Sequence, residues 1–457
     1  MSSIKKLAGQ TVWYGASSIF ARFLSYLLTP YLTLVLTRPD YGEMSLVYAV
    51  IPFLNVVFIY GLDTAFFRFF QKEEHKEDIY NTASISIITT TALFTAIMVL
   101  FSKPIASLIR IKEHPEYITL AALIIAFDAI SALPFAKLRQ EGRPKKFAFV
   151  RIGGILLNIA TIYFFLSLCP ALLKKNSNSP LLLIYHKDFA VGYILLGNVV
   201  QNLFQVIVLH KELLKFKPVF KFQLWKQVML YSLPLTVAGF AGMINETFDR
   251  VMLNWWAPVA SESAALAEVG TYSACYKLSI LITLFVQAFR MGAEPFFFGQ
   301  STREDAPKTY ARVMKFFVIV ITVMFLVVAL YLDVWKHFVS NKKMWDGLKV
   351  VPILLFANMF LGIYYNLSIW YKLSHRTTAG AYITFIGVGV TLFVNYFFIP
   401  RYSYLACAWA TFLCYGSMMV VSFVWGQKQY RIPYAWKKLV AYMVIVALLY
   451  LIHHALT

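Results

Sequence analysis

Long apolar segments recur along the whole chain, and short polar stretches separate them. The segments cover residues 11–36, 44–70, 80–101, 117–138, 147–169, 189–209, 228–255, 269–297, 311–333, 348–371, 379–399, 403–425 and 437–455. An α-helix needs about 20 apolar residues to cross the hydrocarbon core of a bilayer, whereas a strand of a membrane barrel needs only about 10. Because only helices and closed barrels satisfy their backbone hydrogen bonds in lipid, the pattern predicts an all-α integral membrane protein.

The composition agrees with a chain whose main solvent is lipid. Of its 457 residues, 60% are hydrophobic and 14% are charged, and the mean hydropathy is +0.65. The first segment lacks a short apolar core followed by a cleavage site with small residues. We therefore interpret it as a retained helix and not as a signal peptide.

Basic residues in the loops predict the orientation and one class of partner. With the N-terminus in the cytoplasm, more than half of the 42 Lys and Arg lie on the cytoplasmic side, with dense stretches at 137–146, 211–226 and 428–438. This distribution predicts a cytoplasmic N-terminus. Anionic membrane lipids account for the net charge of +20, and no loop is long enough to hold a nucleic-acid-binding module.

The sequence contains no recognisable motif for catalysis or metal binding. It contains no glycine-rich phosphate loop, no HExxH motif and no CxxC motif, and its eight histidines are scattered in loops and at helix ends. The four cysteines, among them Cys407 and Cys414, lie in or beside apolar segments and are interpreted as small packing residues. We expect no enzyme activity, no cofactor and no metal site.

Three short patterns occur twice, in the same order and at nearly constant spacing, which indicates a duplication. They are Gly42, Ser45 and Tyr48 with Gly270, Ser273 and Tyr276; Lys137 and Leu138 with Lys372 and Leu373; and Tyr163, Phe164 and Phe165 with Tyr396, Phe397 and Phe398. Six helices per copy is an even number, so the copies are parallel repeats related by an axis along the membrane normal. The predicted domains are a six-helix bundle at 1–210, a cytoplasmic linker at 211–227, a second bundle at 228–426 and an additional helix at 427–457.

Charged residues inside the apolar segments carry most of the functional information. They are Arg22, Asp63, Asp128, Glu246, Asp249, Arg250, Lys277, Arg290 and Glu294. A charge at the bilayer centre costs at least about 2.5 kcal/mol, so each of these should face a cavity or a partner. The four-residue spacing allows Glu246 to neutralise Arg250, and Glu294 to neutralise Arg290, on one face of a helix.

Arg22 and Lys277 have no acidic residue at the neighbouring positions of their own helices. Arg22 therefore needs an acid from another helix, such as Asp63, or an anionic ligand. A guanidinium binds pyrophosphate oxygens in bidentate fashion, so the cations Arg22, Arg250, Lys277 and Arg290 are candidates for binding an anionic substrate headgroup. The acids Asp63, Asp128, Glu246 and Asp249 are candidates for binding a coupling H⁺ or Na⁺, or for structural ion pairs.

Several short stretches along the chain have a recognisable order and spacing. They are residues 36–42 (Leu-Thr-Arg-Pro-Asp-Tyr-Gly), 248–250 (Phe-Asp-Arg), 269–274, 276–278, 294–295 (Glu-Pro) and 395–411. They resemble the polysaccharide-exporter branch of the MOP superfamily, which includes Wzx-type O-antigen flippases and is related to the MurJ flippase and the MATE exporters. Together they span nearly the whole chain. At Ser403 and Ala406 the chain departs from the pattern, which usually has glycine there.

The resemblance implies twelve core helices in two bundles that form a V-shaped cavity. It also implies a lipopolysaccharide O-antigen, capsule or exopolysaccharide flippase of the bacterial inner membrane. Such a protein moves undecaprenyl-pyrophosphate-linked oligosaccharide by alternating access without ATP, beside glycosyltransferases and a glycan polymerase.

Two alternatives remain open. A MATE-like cation-coupled drug exporter would favour a cavity lined by acids. A membrane-embedded glycan polymerase or ligase would need a large external loop, whereas the longest one predicted here, 170–188, is short.

Overall fold

The structure is a computed structural model that describes residues 2–70, 76–175, 180–301, 303–374 and 376–456. All regular secondary structure in these residues is helical. In this part of the chain, 13 helical segments can cross a membrane by length and composition, from Gly15–Val35 to Trp436–Leu456. The prediction of an all-α protein with many spans is confirmed, and each predicted apolar segment corresponds to one of these helices.

Within the described residues, twenty α-helices form these segments and the connections between them. They are α1 (Ser2–Leu27), α2 (Thr29–Val35), α3 (Arg38–Ile59), α4 (Leu62–Phe70), α5 (Lys76–Leu100), α6 (Ser102–Leu108), α7 (Glu116–Gln140), α8 (Pro144–Tyr163), α9 (Cys169–Lys175), α10 (Ala190–Val208), α11 (His210–Leu213), α12 (Phe222–Trp256), α13 (Glu262–Gln300), α14 (Ala306–Ala329), α15 (Leu332–Trp335), α16 (Val351–Leu367), α17 (Ile369–Leu373), α18 (Thr377–Tyr402), α19 (Tyr404–Gln429) and α20 (Trp436–Leu456). Short 3₁₀ segments cover Pro180–Leu183, Lys187–Phe189, Lys336–Phe338 and Lys342–Val350, and a π-helical turn covers Phe164–Leu168.

The second predicted helix, 44–70, is divided into α3 and α4. The break lies at Tyr60 and Gly61, whose φ angles are 37° and 71°. A Cβ on Gly61 would lie 3.1 Å from the carbonyl oxygen of Ser232, so both the backbone and the packing favour glycine here. The hydrophobic pattern continues through the break, which is why it predicts a single helix.

The chain forms two compact units, the first of which comprises Met1–Leu28 and Glu43–Met243. Within it α7 packs against α5 and α10, and α8 packs against α10 and α1. Small residues allow α8 and α10 to approach closely: a Cβ on Gly154 would lie 3.1 Å from the side chain of Gln201, and one on Gly197 would lie 2.9 Å from Asn158 Oδ1.

The second unit comprises Thr29–Gly42 and Ile244–Thr457. Within it α16 packs against α13, α14 and α19, α18 packs against α19, and α20 packs against α14. The indole of Trp370 is buried against Gly426, where a Cβ would lie 2.7 Å from the ring. The four cysteines of the two units are all buried, which confirms that they serve as packing residues.

Candidate functional site

Asp249 and Arg250, on α12, form an ion pair inside the second unit. Arg250 Nη1 lies 2.9 Å from Asp249 Oδ1, and the two side chains are 11% and 6% exposed. The hydroxyl of Tyr272, on α13, donates to the other carboxylate oxygen at 2.6 Å. Asp249 therefore neutralises Arg250 while both of its oxygens are hydrogen-bonded, which is the condition for burying a charge pair at low cost.

Further contacts hold Arg250 between α12 and α13. Its Nη1 donates to the main-chain carbonyl oxygen of Glu246 at 3.0 Å, and its guanidinium carbon lies 4.5 Å from the ring centre of Tyr276. The sequence pairs Arg250 with the carboxylate of Glu246, whereas the structure shows the carboxylate of Asp249 as a partner of Arg250. The ring centre of Tyr272 lies 5.6 Å from the Arg250 guanidinium carbon. Lys277 is half-buried and lies within electrostatic range of Arg250. Two of the predicted substrate-binding cations thus occur at one level of the unit.

Arg290 and Glu294 form the second pair that the four-residue spacing predicts. Arg290 Nε lies 2.7 Å from Glu294 Oε1, and Lys372 Nζ lies 2.6 Å from the same oxygen. The guanidinium of Arg290 also lies 4.6 Å from the ring centre of Tyr365. Two cations thus share one carboxylate oxygen, and the group of three side chains carries an excess positive charge.

This group of three lines a small cavity of the second unit, about 10 Å³ in volume. Phe289 and Asn366 are among the other lining residues. The Oδ1 atom of Asn366 is buried, and in the described part of the chain it has no hydrogen-bond partner. The cavity therefore offers an excess of positive charge and an unused polar atom to a ligand.

In the first unit, Asp128 is hydrogen-bonded to an amide side chain of a neighbouring helix. Asn55 Nδ2, on α3, donates to Asp128 Oδ2 at 2.7 Å. Arg151, on α8, lies within electrostatic range of both Asp128 and Arg22. The sequence names Asp63 as an acid for Arg22, whereas the structure brings Asp128 and Arg151 into the surroundings of this exposed arginine.

Asp63 lies in the first turn of α4 and lines an open cavity of about 350 Å³. Asn55, Thr64 and Thr236 line the same cavity. Asn55, which is hydrogen-bonded to Asp128, thus lines the same cavity as Asp63. The oxygen atoms around the cavity are of the type that binds H⁺ or Na⁺.

Sequence reasoning missed two features of the first unit. The first is the position of Arg151, which is not among the residues singled out from the sequence: its guanidinium carbon lies 4.2 Å from the ring centre of Phe135 and 5.9 Å from that of Phe147. The second feature is a set of amide side chains at Asn158, Asn198, Gln201, Asn202 and Gln205, which hydrogen-bond to one another and to Tyr48. Four of these amides lie three or four residues apart on α10, a signal that a search restricted to charges does not use.

A polar group also surrounds the start of α13 in the second unit. Arg38 Nε donates to Thr271 Oγ1 at 3.0 Å, and Arg38 Nη2 lies 3.8 Å from Glu268 Oε1. Ser403 Oγ donates to Glu268 Oε2 at 2.5 Å. Ser403 is one of the two positions where the family pattern usually has glycine, and its φ angle is 48°. Within the described residues, no group of three or more His, Cys, Asp and Glu is placed to hold a metal ion.

Comparison with known proteins identifies the family. Residues 7–298 match the family described as polysaccharide biosynthesis protein. An uncharacterized membrane protein of Methanocaldococcus jannaschii is 23% identical over 446 residues, which cover 92% of this chain and 84% of that protein.

Solved structures share the fold at low sequence identity. The lipid II flippase MurJ in an inward closed conformation is 13% identical with a TM-score of 0.65, over 97% of this chain and 98% of that one. An inward-facing MATE multidrug transporter of the MOP superfamily is 13% identical with a TM-score of 0.64, over 93% and 95% of the two chains. A MOP superfamily transporter from Pyrococcus furiosus, whose binding pocket is described as having reverse polarity, is 14% identical with a TM-score of 0.59, over 92% and 95%.

The match to the family covers more than half of the chain, and the similarity of fold extends over nearly all of it. The chain therefore belongs to the polysaccharide biosynthesis protein family of multi-pass membrane proteins and has the fold of the MOP superfamily.

Proposed function

We propose that the chain is a flippase for lipid-linked oligosaccharide. It moves undecaprenyl-pyrophosphate-linked oligosaccharide from the inner to the outer leaflet of a bacterial cytoplasmic membrane by alternating access. Membership of the polysaccharide biosynthesis family supports a glycan-related substrate, and the fold shared with a lipid II flippase supports the type of movement. Glycosyltransferases supply such a substrate, and a glycan polymerase consumes it.

The shared carboxylate of Glu294 is the observation that carries the proposal. Arg290 and Lys372 both contact its Oε1 atom within a membrane-spanning part of the chain. One carboxylate cannot neutralise two cations, and uncompensated charge in the membrane is costly unless an anion offsets it. A pyrophosphate would supply the missing negative charge, and the Arg290 guanidinium is suited to its oxygens. The cavity measures about 10 Å³ in this structure, so it has to widen during the transport cycle to admit the headgroup.

The experiment compares variants of this group in proteoliposomes that hold a fluorescent lipid-linked oligosaccharide. Arg290→Gln combined with Lys372→Gln is expected to slow movement between leaflets by about tenfold or more, because two charge-assisted contacts are lost. The matched control is Arg303→Gln with Lys308→Gln, which removes two exposed cations that lie just before and in the first turn of the span Ala306–Ala329. Equal rates for the two double variants would remove this cavity from the substrate path.

Variants of Arg22 test whether the first unit contributes to substrate binding. Arg22→Lys is expected to slow transport although the charge is kept, because an ammonium cannot reproduce bidentate contacts with a pyrophosphate. Arg22→Ala is expected to abolish transport while the protein still inserts. Normal transport by the alanine variant would exclude a binding role.

The cavity beside Asp63 favours a second candidate, a MATE-like cation-coupled exporter of drugs. Its oxygen atoms fit a cation, and in the flippase the same cavity is our candidate site for a coupling H⁺ or Na⁺. Proteoliposomes separate the two functions, since an exporter moves a cationic dye such as ethidium and leaves lipid-linked oligosaccharide in its original leaflet.

We propose a cytoplasmic N-terminus from the distribution of basic loops. Cysteines at Lys145 and Ala260, which are both exposed, should then react with impermeant reagents from the cytoplasmic and external side, respectively. The native cysteines are buried and give little background. Labelling of both from one side would overturn the proposed arrangement.

A further inference from the structure

The connection between α10 and α12 is attached to α5 and is not a free tether. We call residues 214–222 the strap. The main-chain N–H of Lys217 donates to Asn81 Oδ1 at 2.9 Å, and that of Lys221 donates to Thr82 Oγ1 at 3.2 Å. These bonds fix the path of the strap, which has few regular hydrogen bonds of its own.

Side chains reinforce the attachment at the start of α5. Lys217 Nζ lies 3.4 Å from Glu77 Oε2, and Lys221 Nζ lies 2.5 Å from Asp78 Oδ2. The acids belong to the first turn of α5, where the helix dipole also favours negative charge. The strap is therefore held at a defined position within the first unit.

Large apolar side chains of the strap point away from the protein. Leu214 is 76% exposed and Phe222 is 63% exposed, and Val219 and Phe220 are exposed as well. The strap joins the spans Lys187–Val208 and Phe222–Trp256, which both end on its side of the membrane. Apolar side chains at this level meet the boundary between headgroups and acyl chains, where amphipathic segments bind.

Lysines alternate with these apolar residues. Lys211, Lys215, Lys217, Lys221 and Lys226 are all exposed. The acid in this stretch, Glu212, is 2% exposed and is engaged by Arg143 Nη1 at 2.8 Å and Lys146 Nζ at 2.7 Å. Glu212 therefore does not neutralise the outer face of the strap, which presents positive charge and apolar side chains together.

We propose that the strap is a docking surface for an anionic bilayer leaflet. Phe220, Phe222 and Leu214 lie among the headgroups and upper acyl chains, and the exposed lysines contact lipid phosphates. A neutral leaflet interacts favourably only with the apolar side chains, whereas an anionic leaflet also attracts the lysines. The depth of the strap in the membrane therefore depends on the charge of the lipid. This inference does not rest on the transport activity.

The test uses the full chain with a nitroxide label on Phe220→Cys in lipid nanodiscs. Accessibility of the label to oxygen relative to a water-soluble nickel complex reports its depth. In phosphatidylcholine with about 30% phosphatidylglycerol, we expect this ratio to be about twofold or more above the value in phosphatidylcholine alone. High salt should reduce the difference because it screens charge at the surface.

Charge variants in the same labelled background provide the control. Lys211→Gln, Lys215→Gln and Lys226→Gln together should remove the dependence on phosphatidylglycerol, because three exposed positive charges are lost. The bonds of Lys217 and Lys221 to α5 stay intact, so the strap keeps its position. The matched variant, Arg303→Gln with Lys308→Gln and Arg312→Gln, removes three exposed cations elsewhere and should keep it. Equal depth in the two lipids, a label open to water in both, or loss of the dependence in the matched variant would overturn the proposal.

Discussion

Gly42 and Gly270, which occupy equivalent positions of the sequence repeat, lie against each other in the second unit. A Cβ on Gly42 would lie 1.9 Å from the carbonyl oxygen of Leu266, and one on Gly270 would lie 2.1 Å from that of Arg38. Each glycine thus meets the carbonyl oxygen four residues before the other. The two backbones approach each other so closely that neither position has room for a side chain.

The first prediction concerns this contact. Gly42→Ala or Gly270→Ala is expected to lower the free energy of unfolding by about 3 kcal/mol, because the new methyl group collides with main-chain atoms that cannot move independently. Thermal unfolding in detergent measures the effect. Gly389→Ala is the control, since a Cβ there would meet nothing within 4 Å. Similar melting temperatures for all three variants would contradict the contact.

At Ser403, the backbone conformation lowers the stability of the fold and the side-chain hydrogen bond raises it. Its φ of 48° favours glycine, while its hydroxyl donates to Glu268. Ser403→Ala loses the hydrogen bond and keeps the strain, whereas Ser403→Gly loses the bond and relieves the strain. We expect the alanine variant to be less stable than the glycine variant by about 1 kcal/mol. The opposite order of melting temperatures would show that the backbone at residue 403 is not strained.

The pair of Asp249 and Arg250 can be separated from substrate binding by a double-mutant cycle. Asp249→Asn leaves the Arg250 guanidinium without its closest carboxylate, and Arg250→Met leaves Asp249 charged. The double variant is expected to lose less stability than the sum of the losses of the two single variants. The difference, which is the coupling energy, should be about 1 to 3 kcal/mol. Additive losses in thermal unfolding would mean that the two residues act independently.

Glu212 makes stability depend on pH outside the membrane spans. Burial raises its pKa, but the hydrogen bonds and charges of Lys146 and Arg143 lower it more, so the pKa lies below its usual value. Its contribution is therefore present above the usual pKa of about 4.5 and is lost as the pH falls through the lower, folded-state value.

Glu212→Gln is accordingly expected to cost about 1 to 3 kcal/mol at pH 7 and progressively less below pH 4.5. The measurement is thermal unfolding of the two proteins over this range. Glu304→Gln, at an exposed position, is the control. A difference between the proteins that does not change with pH would contradict the account of Glu212.

The sequence predicts the spans well, and the charge contacts only in part, for a physical reason. Lipid imposes a length and an apolar composition on each helix, so every span is visible in the hydrophobic pattern. The pair of Arg290 and Glu294 is visible because it lies on one helix. Lys372 belongs to another helix, and its contact with Glu294 depends on tertiary packing that no local spacing encodes.

The break at Gly61 and the position of Arg151 illustrate the same limit. An apolar run does not reveal that φ is positive at two of its residues, because the hydrophobic pattern is unchanged. Arg151 lies four residues after Phe147, a spacing that favours contact on a helix, yet its closer aromatic partner Phe135 comes from α7. The position of a side chain such as that of Arg151 thus depends on contacts between helices, which the spacing along one helix does not reveal.

Reconstitution of the unmodified protein tests whether the chain moves a lipid-linked oligosaccharide between leaflets. Proteoliposomes would contain a fluorescent undecaprenyl-pyrophosphate oligosaccharide in both leaflets, and a membrane-impermeant reductant would be added outside. Without transport, about half of the fluorescence is protected in the inner leaflet. The account predicts that the protein exposes this protected fraction to the reductant, and that it does not move ethidium. Persistent protection of the inner half, with protein correctly inserted, would contradict it.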